Sequence, residues 1–211
     1  MNNKRFISFE GLDYSGKSTQ IALLRDFLEK NGHQVYTMRE PGGTSISEKI
    51  REILLDKKNS NMTERCEIFL YSAARVQLVE ERIFPLLNDG YFVVADRFVD
   101  STTAYQGYGR RLDLQMVQAI NQAATFGLLP SVTFYLRLLP EQMYERAPQS
   151  GRAPDRLETA GAEFYRRVFQ GYEKLAENNP QRFVVIDATQ SIEHIHQQIV
   201  EVVKKKILGE P

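Results

Sequence analysis

The chain has 211 residues, with 27 Lys plus Arg against 27 Asp plus Glu, 42% hydrophobic residues and a single cysteine. That balance fits one globular domain with its own core, and it excludes a disordered chain, an internal disulfide framework and the basic excess of a general nucleic-acid binder. No apolar run approaches the ~18 residues of a membrane span and the first residues show no signal-peptide pattern, so a cytoplasmic protein without membrane partners is expected.

Five short runs, at 6–9, 34–38, 91–95, 132–136 and 182–186, are rich in β-branched and aromatic residues. Four of them are almost continuously apolar, as strands buried on both faces are. Between the first two, 19–31 places Ile21, Leu23, Leu24, Phe27 and Leu28 on one helical face, and 66–87 carries a second helical pattern. Strands alternating with helices predict βαβ units, right-handed crossovers and a doubly wound, five-stranded parallel sheet covered by helices. Asn31-Gly32 and Asn88-Asp89-Gly90 end helices just before strands, where left-handed caps belong. Residues 141–159 start helical and then break at Pro148, Gly151 and Pro154, with Arg146, Arg152 and Arg156 among them. That segment reads as a surface loop or a small lid within a single domain spanning 1–211. The stretch 192–208 predicts an amphipathic helix whose Lys204, Lys205 and Lys206 complement the negative end of its dipole. Cys66 is expected as a buried structural thiol, the usual fate of a free cysteine. His33, His194 and His196 lack metal-ligand spacing and are expected to be structural or surface residues.

After the first strand, Gly11, Leu12, Asp13, Tyr14, Ser15, Gly16, Lys17 and Ser18 fit G-x-x-x-x-G-K-[ST] at every fixed position, and Thr19 continues into the helix. In that setting the glycines let successive N–H groups point inward, and with the helix N-terminus they form an anion cradle. Lys17 supplies charge between the β- and γ-phosphates of ATP, and Ser18 offers a hydroxyl to Mg²⁺. The loop alone does not name a reaction, since GTPases, motors and small-molecule kinases share it.

Further signals follow the other strands. Asp96 at the end of the third strand stands at the ligand edge of such a sheet, where a second Mg²⁺-organising carboxylate belongs. Adjacent Arg97 suits a second phosphate, because its planar fork binds phosphate oxygens in pairs. Arg39, Glu40, Pro41, Gly42, Gly43 and Thr44 follow the second strand, and their Pro-Gly-Gly turn lets a ligand approach the backbone closely. Tyr71 and Arg75 share a helical face four residues apart. Helix spacing by itself favours Tyr71 in the core and Arg75 on the surface.

Together these residues resemble thymidylate kinase, from the Phe9-Glu10-Gly11 lead, through the segment 39–44, Asp96-Arg97 with Ser101, Thr102 and Ala104-Tyr105-Gln106-Gly107, to Gly151-Arg152 and Asp155-Arg156-Leu157-Glu158 as the lid. The resemblance covers residues 6 to about 190. It implies a P-loop NTPase-like fold, transfer of a phosphoryl group from ATP to dTMP, Mg²⁺ as cofactor and a homodimer. By similarity Tyr71 takes the place of the ring stacked on thymine, and Arg75 lies near base and sugar-phosphate. Arg97 and Arg51 hold the acceptor phosphate, Thr102 and Gln106 reach the base edge, Tyr105 packs beneath the deoxyribose, and Asp13 meets the 3′-hydroxyl; Pro41 and Ser101 complete that site. Tyr14 stands where other members carry an arginine or a glycine, so the lid must supply the catalytic cation, Arg152 first, with Arg146 and Arg156 nearby on ATP. Arg137 stands where an acidic residue is common in the family, and nothing in the sequence accounts for it. The alternatives are another nucleoside monophosphate kinase, a deoxynucleoside kinase with Glu10 as base, or a nucleotide switch. The absence of an Asn-Lys-x-Asp guanine motif disfavours the last.

Overall fold

The computed structural model describes residues 4–151, 156–157 and 160–210. Five strands, β1 (Phe6–Glu10), β2 (Val35–Arg39), β3 (Phe92–Asp96), β4 (Val132–Arg137) and β5 (Phe183–Asp187), form an all-parallel sheet in the order β2-β3-β1-β4-β5. Each stands within one residue of its predicted position. The helices are α1 (Lys17–Lys30), α2 (Ser45–Leu55), α3 (Glu64–Leu78), α4 (Phe84–Asn88), α5 (Val99–Thr102), α6 (Leu114–Thr125), α7 (Pro140–Arg146), α8 (Ala162–Asn178) and α9 (Ile192–Val203). A wider π-helical turn, Val79–Ile83, joins α3 to α4, and a second, Thr103–Gly109, extends α5.

Both faces of the sheet are covered, which is why its strands read as continuous apolar runs. In β1, Phe6 packs with Leu78, Val79, Ile83 and Phe98 on one side. Ile7 and Phe9 pack with Leu24, Leu28, Tyr165 and Ile199 on the other. Each such fully buried side chain contributes roughly 1.5–3 kcal/mol. Because β1 is central and β3 is its neighbour, the loops leaving these two strands at their carboxyl ends meet. The register pairs Phe9 with Asp96. Arg97 N–H donates to Phe9 O at 2.9 Å, and Glu40 N–H to Asp96 O at 3.0 Å, so the ends of β1, β2 and β3 are stitched into one edge.

Helix α8 approaches the Thr103–Gly109 stretch so closely that a Cβ on Gly171 would stand 2.8 Å from the Tyr108 ring. That approach carries the next residue, Tyr172, to the same edge. Cys66 departs from expectation: it is exposed in the first turn of α3 rather than buried. The opposite face of that turn carries Glu67 and Ile68 inward, and these take the buried positions instead.

Candidate active site

The loop between β1 and α1 owes its shape to backbone angles that few residues tolerate. Gly11 has φ 131°, and a Cβ there would collide with the Leu136 carbonyl. Gly16 caps α1 at φ 90° with no side chain bonded to the first-turn N–H groups. Helices α2, α3, α6 and α9, by contrast, close theirs with Thr44, Thr63, Asp113 and Ser191. The N-terminus of α1 therefore presents unsatisfied donors to an anion. Lys17 Nζ donates to Leu12 O at 2.9 Å and Gly11 O at 3.3 Å, which curls the ammonium back over the loop. Burial pushes its pKa down to about 8, and neighbouring Arg97 pushes the same way. Ser18 Oγ donates to Asp96 Oδ2 at 3.0 Å, tying α1 to the end of β3.

Arg97 is the hub. Its backbone is left-handed at φ 72°, which turns the guanidinium under the loop. Nη2 donates to Asp13 Oδ1 at 2.8 Å and Nη1 to Gly11 O at 2.9 Å. Nη1 also reaches Ser101 Oγ and Tyr172 OH, each at 3.2 Å, and the fork lies 5.0 Å from the centre of the Tyr105 ring. Behind it Glu10, fully buried, accepts from Phe98 N–H at 2.7 Å, Ser101 Oγ at 2.6 Å and Tyr172 OH at 2.9 Å. A guanidinium only donates, so Ser101 and Tyr172 accept from Arg97, and their hydroxyls, 2.9 Å apart, share their hydrogens between each other and Glu10. Burial, then Asp100, pushes the Glu10 pKa up to about 7. Asp100 itself is held by Arg182 at 2.6 and 2.9 Å.

A cavity opens in front of this hub. Asp13, Pro41, Arg51, Tyr71, Arg75, Arg97, Ser101, Thr102, Tyr105 and Gln106, the ten acceptor-site residues of the sequence reading, all line it, together with Glu40, Leu55, Phe98 and Leu157. Arg75 corrects the helix-spacing expectation: it is 2% exposed. It donates from Nε to Glu40 Oε2 at 2.7 Å, and from Nη1 to Thr102 Oγ1 at 3.0 Å and Asn121 Oδ1 at 3.2 Å. Arg51 donates to Pro41 O at 2.9 Å, and the Glu40–Pro41 peptide bond is cis. A second cavity holds Asp13, Tyr14, Gly16, Lys17, Ser18, Thr19, Asp96 and Arg146. Asp13, Glu40, Arg51 and Arg97 line both.

The lid arginines separate. Arg146, at the end of α7, donates to Tyr14 O at 3.2 Å and Ala188 O at 2.9 Å, so it stands at the phosphate loop as expected. Arg156 does not. It is 8% exposed, donates from Nε to Leu54 O at 2.7 Å and pairs with Glu67 at 2.6 Å, away from the loop. A carboxylate buried on α3 attracts it there, which lid composition alone does not show. Arg152 lies outside the described residues. Arg137 is accounted for: it pairs with Glu173 of α8 at 3.0 Å, beside Tyr135 OH on the same carboxylate. Among the described residues no cluster of His, Cys, Asp and Glu suits a metal without phosphate ligands, and no helix is long and apolar enough to cross a membrane.

The family model described as thymidylate kinase matches residues 9–199. The chain belongs to the thymidylate kinase family. It is 46% identical over 201 residues to thymidylate kinase of Thermoanaerobacter sp. (strain X514), covering 95% of this chain and 98% of that one. To the thymidylate kinase of Caldanaerobacter subterraneus subsp. tengcongensis it is 44% identical over 205 residues, 97% of each. A crystal structure of thymidylate kinase from Ehrlichia chaffeensis superposes with a TM-score of 0.76 at 32% identity, covering 94% of this chain and 97% of the other. As a thymidylate kinase the chain is an ATP-dependent nucleoside monophosphate kinase that converts dTMP to dTDP.

For this kinase the two buried ionisable groups set opposite pH limbs. Lys17 must carry its proton to meet a phosphate, and its pKa is lowered to about 8. Thus kcat/KM for ATP is expected to fall as pH rises through about 8. Glu10 must be ionised to hold Ser101 and Tyr172, and its pKa is raised to about 7. Thus kcat/KM for dTMP is expected to fall as pH drops through about 7. Each parameter reports the enzyme before it takes up the varied substrate. Steady-state profiles at saturating partner substrate check this; Glu10→Gln should remove the acid limb and move the alkaline limb slightly down, since the Glu10 charge helps to raise the Lys17 pKa.

Proposed function

We propose that transfer runs where the two cavities meet, between an ATP γ-phosphate in the loop and the dTMP phosphate on Arg97. The supporting observation is that Asp13, Glu40, Arg51 and Arg97 border both cavities. The acceptor phosphate is already ionised at neutral pH, so no strong base is needed. The barrier lies in bringing two anions into line and stabilising the equatorial oxygens. Lys17, Arg97 and Arg51 supply that charge. Ser18 and Asp96 offer the hard oxygen donors that Mg²⁺ takes, their oxygens 3.0 Å apart, and they would hold it beside the phosphates. The bound ion supplies charge neutralisation on the β- and γ-oxygens. We assign the remaining cation to Arg152, because Tyr14 leaves the loop without an arginine and Arg146 already anchors the lid's first helix to Tyr14 O.

Tyr71, Thr102, Tyr105 and Gln106 are assigned to the base and deoxyribose, and Asp13 to the 3′-hydroxyl. Glu10 speaks against a deoxynucleoside kinase, since it is fully buried, takes three donors from the protein and lines neither cavity. A cytoplasmic homodimer is the assembly we favour; Phe69 on α3, 59% exposed, gives that helix an apolar outer face. Turnover with dTMP against CMP, AMP and thymidine tests the acceptor assignment. dTMP is expected to be fastest, and faster turnover of CMP or AMP, or phosphorylation of thymidine, would contradict it.

A further inference from the structure

At the base end of the acceptor cavity lie two buried charges of opposite sign, Arg75 in the lining and Glu67 behind it, 2% and 1% exposed. Each touches a neutral side chain that lines the cavity. Arg75 Nη1 donates to Thr102 Oγ1 at 3.0 Å. Glu67 Oε1 accepts from Gln106 Nε2 at 2.9 Å. Glu67 also accepts from Arg110 Nε and Nη2 at 3.1 and 3.0 Å and is ion-paired with Arg156 Nη2 at 2.6 Å. Burial would raise its pKa, but hydrogen bonds from Arg110 and Gln106, with the charges of both arginines, pull it below the ordinary value.

The polarity of each neutral side chain follows from these contacts. A guanidinium has no acceptor and an ionised carboxylate has no hydrogen. Thr102 Oγ1 is therefore committed as acceptor towards Arg75, and its hydrogen is left to donate. The Gln106 amide can meet Glu67 only through its nitrogen, so its oxygen is turned away from Glu67 and left to accept. Both residues line the cavity. At Thr102 and Gln106 the chain thus holds one hydrogen free to donate and one oxygen free to accept, each fixed by a charge that cannot reverse. A freely rotating amide would present either face.

We infer that Glu67 is a specificity-determining positioning residue, which fixes Gln106 Oε1 as a hydrogen-bond acceptor at the base and so selects a pyrimidine with a ring N3–H. Thymine carries that N–H between two carbonyls. Cytosine carries a bare N3 and an amino group at C4, which reverses the donor and acceptor at those two positions. The inference rests on the assignment of Thr102 and Gln106 to the base edge. It adds a residue that does not itself line the cavity and whose effect passes through Gln106.

Wild type, Glu67→Gln, Gln106→Leu and the double variant are to be compared for kcat/KM with dTMP and with dCMP, alongside KM for ATP and thermal melting. An amide at 67 can face Gln106 in either sense, so the acceptor is no longer enforced. The preference for dTMP over dCMP is expected to fall about tenfold in each single variant, the scale of one hydrogen bond. KM for ATP should stay within twofold, which a general structural defect would not spare. The double variant should be no less selective than Gln106→Leu, because both act through one group. A folded Glu67→Gln protein that keeps the wild-type preference overturns the inference, and so does a double variant whose loss is the product of the singles. If Glu67→Gln does not fold, Gln106→Leu decides: lost preference supports the inference and retained preference overturns it. A wild-type protein indifferent between dTMP and dCMP would instead overturn the base-edge assignment on which it rests.

Discussion

Arg97→Ala is expected to lower kcat/KM for dTMP by about 10³-fold while changing KM for ATP little. A single preorganised donor is worth ~10²–10³ in a phosphoryl- or acyl-transfer site, and Arg97 brings two Nη groups and a full charge. Its fork is held by Asp13, Gly11 O, Ser101 and Tyr172, so it arrives oriented and loses little freedom on binding. Its removal also leaves Glu10, fully buried, without the cation that its hydroxyl bridges reach. Breaking such a network costs on the order of 3–5 kcal/mol of stability, so the melting temperature should fall as well. Arg97→Lys restores the charge without the fork and should recover only part of the activity. Steady-state kinetics with both substrates check this. A dTMP KM within threefold of wild type in the alanine variant would remove Arg97 from the acceptor site.

Lys17→Met is expected to lower kcat by ~10³-fold or more and yet leave the fold at least as stable. The methionine keeps most of the buried stem and loses the charge, with its bonds to Leu12 O and Gly11 O. In the folded chain Lys17 has a pKa of about 8 against an ordinary 10.5. Holding that charge at neutral pH therefore costs the fold on the order of 3 kcal/mol. The cost is full below pH 8 and disappears as pH rises past the unfolded value. A residue that destabilises the empty protein and is retained points to a ligand that needs it, the usual trade of stability for function. Thermal unfolding and turnover measured on the same preparation check the pair. A variant that loses stability in step with activity would show that Lys17 supports the fold instead.

The strands and the phosphate loop were legible because local rules govern them. Continuous apolar runs mark strands buried on both faces, and the loop's fixed glycines follow from Gly11 and Gly16 lying at positive φ. Arg75 was not legible from helix spacing, because a buried arginine is stabilised only by partners far along the chain, Glu40, Thr102 and Asn121. Family resemblance put it at a ligand site, and it lines the first cavity, where periodicity put it on the surface. Tyr172 carried no motif at all. Its only trace is the apolar stripe of Phe164, Tyr165, Val168 and Tyr172 along α8, which reads as core and is core except for one hydroxyl. Glu10 was visible as an acid before the loop, but its role depends on who donates to it. Arg156 was placed on ATP by the family resemblance, whereas it pairs with Glu67, an unremarked residue beside the exposed Cys66. The common thread is charge: apolar pattern is local, while the partner of a buried charge is set by topology.

The central claim is that two phosphate sites share one set of cations and act only when both are filled. ADP release from ATP, followed with dTMP present and absent, tests it most directly. Release that is at least a hundredfold faster with dTMP, with dTDP formed in equal amount, is the predicted result. Release at the same rate without dTMP, or without matching dTDP, would contradict it.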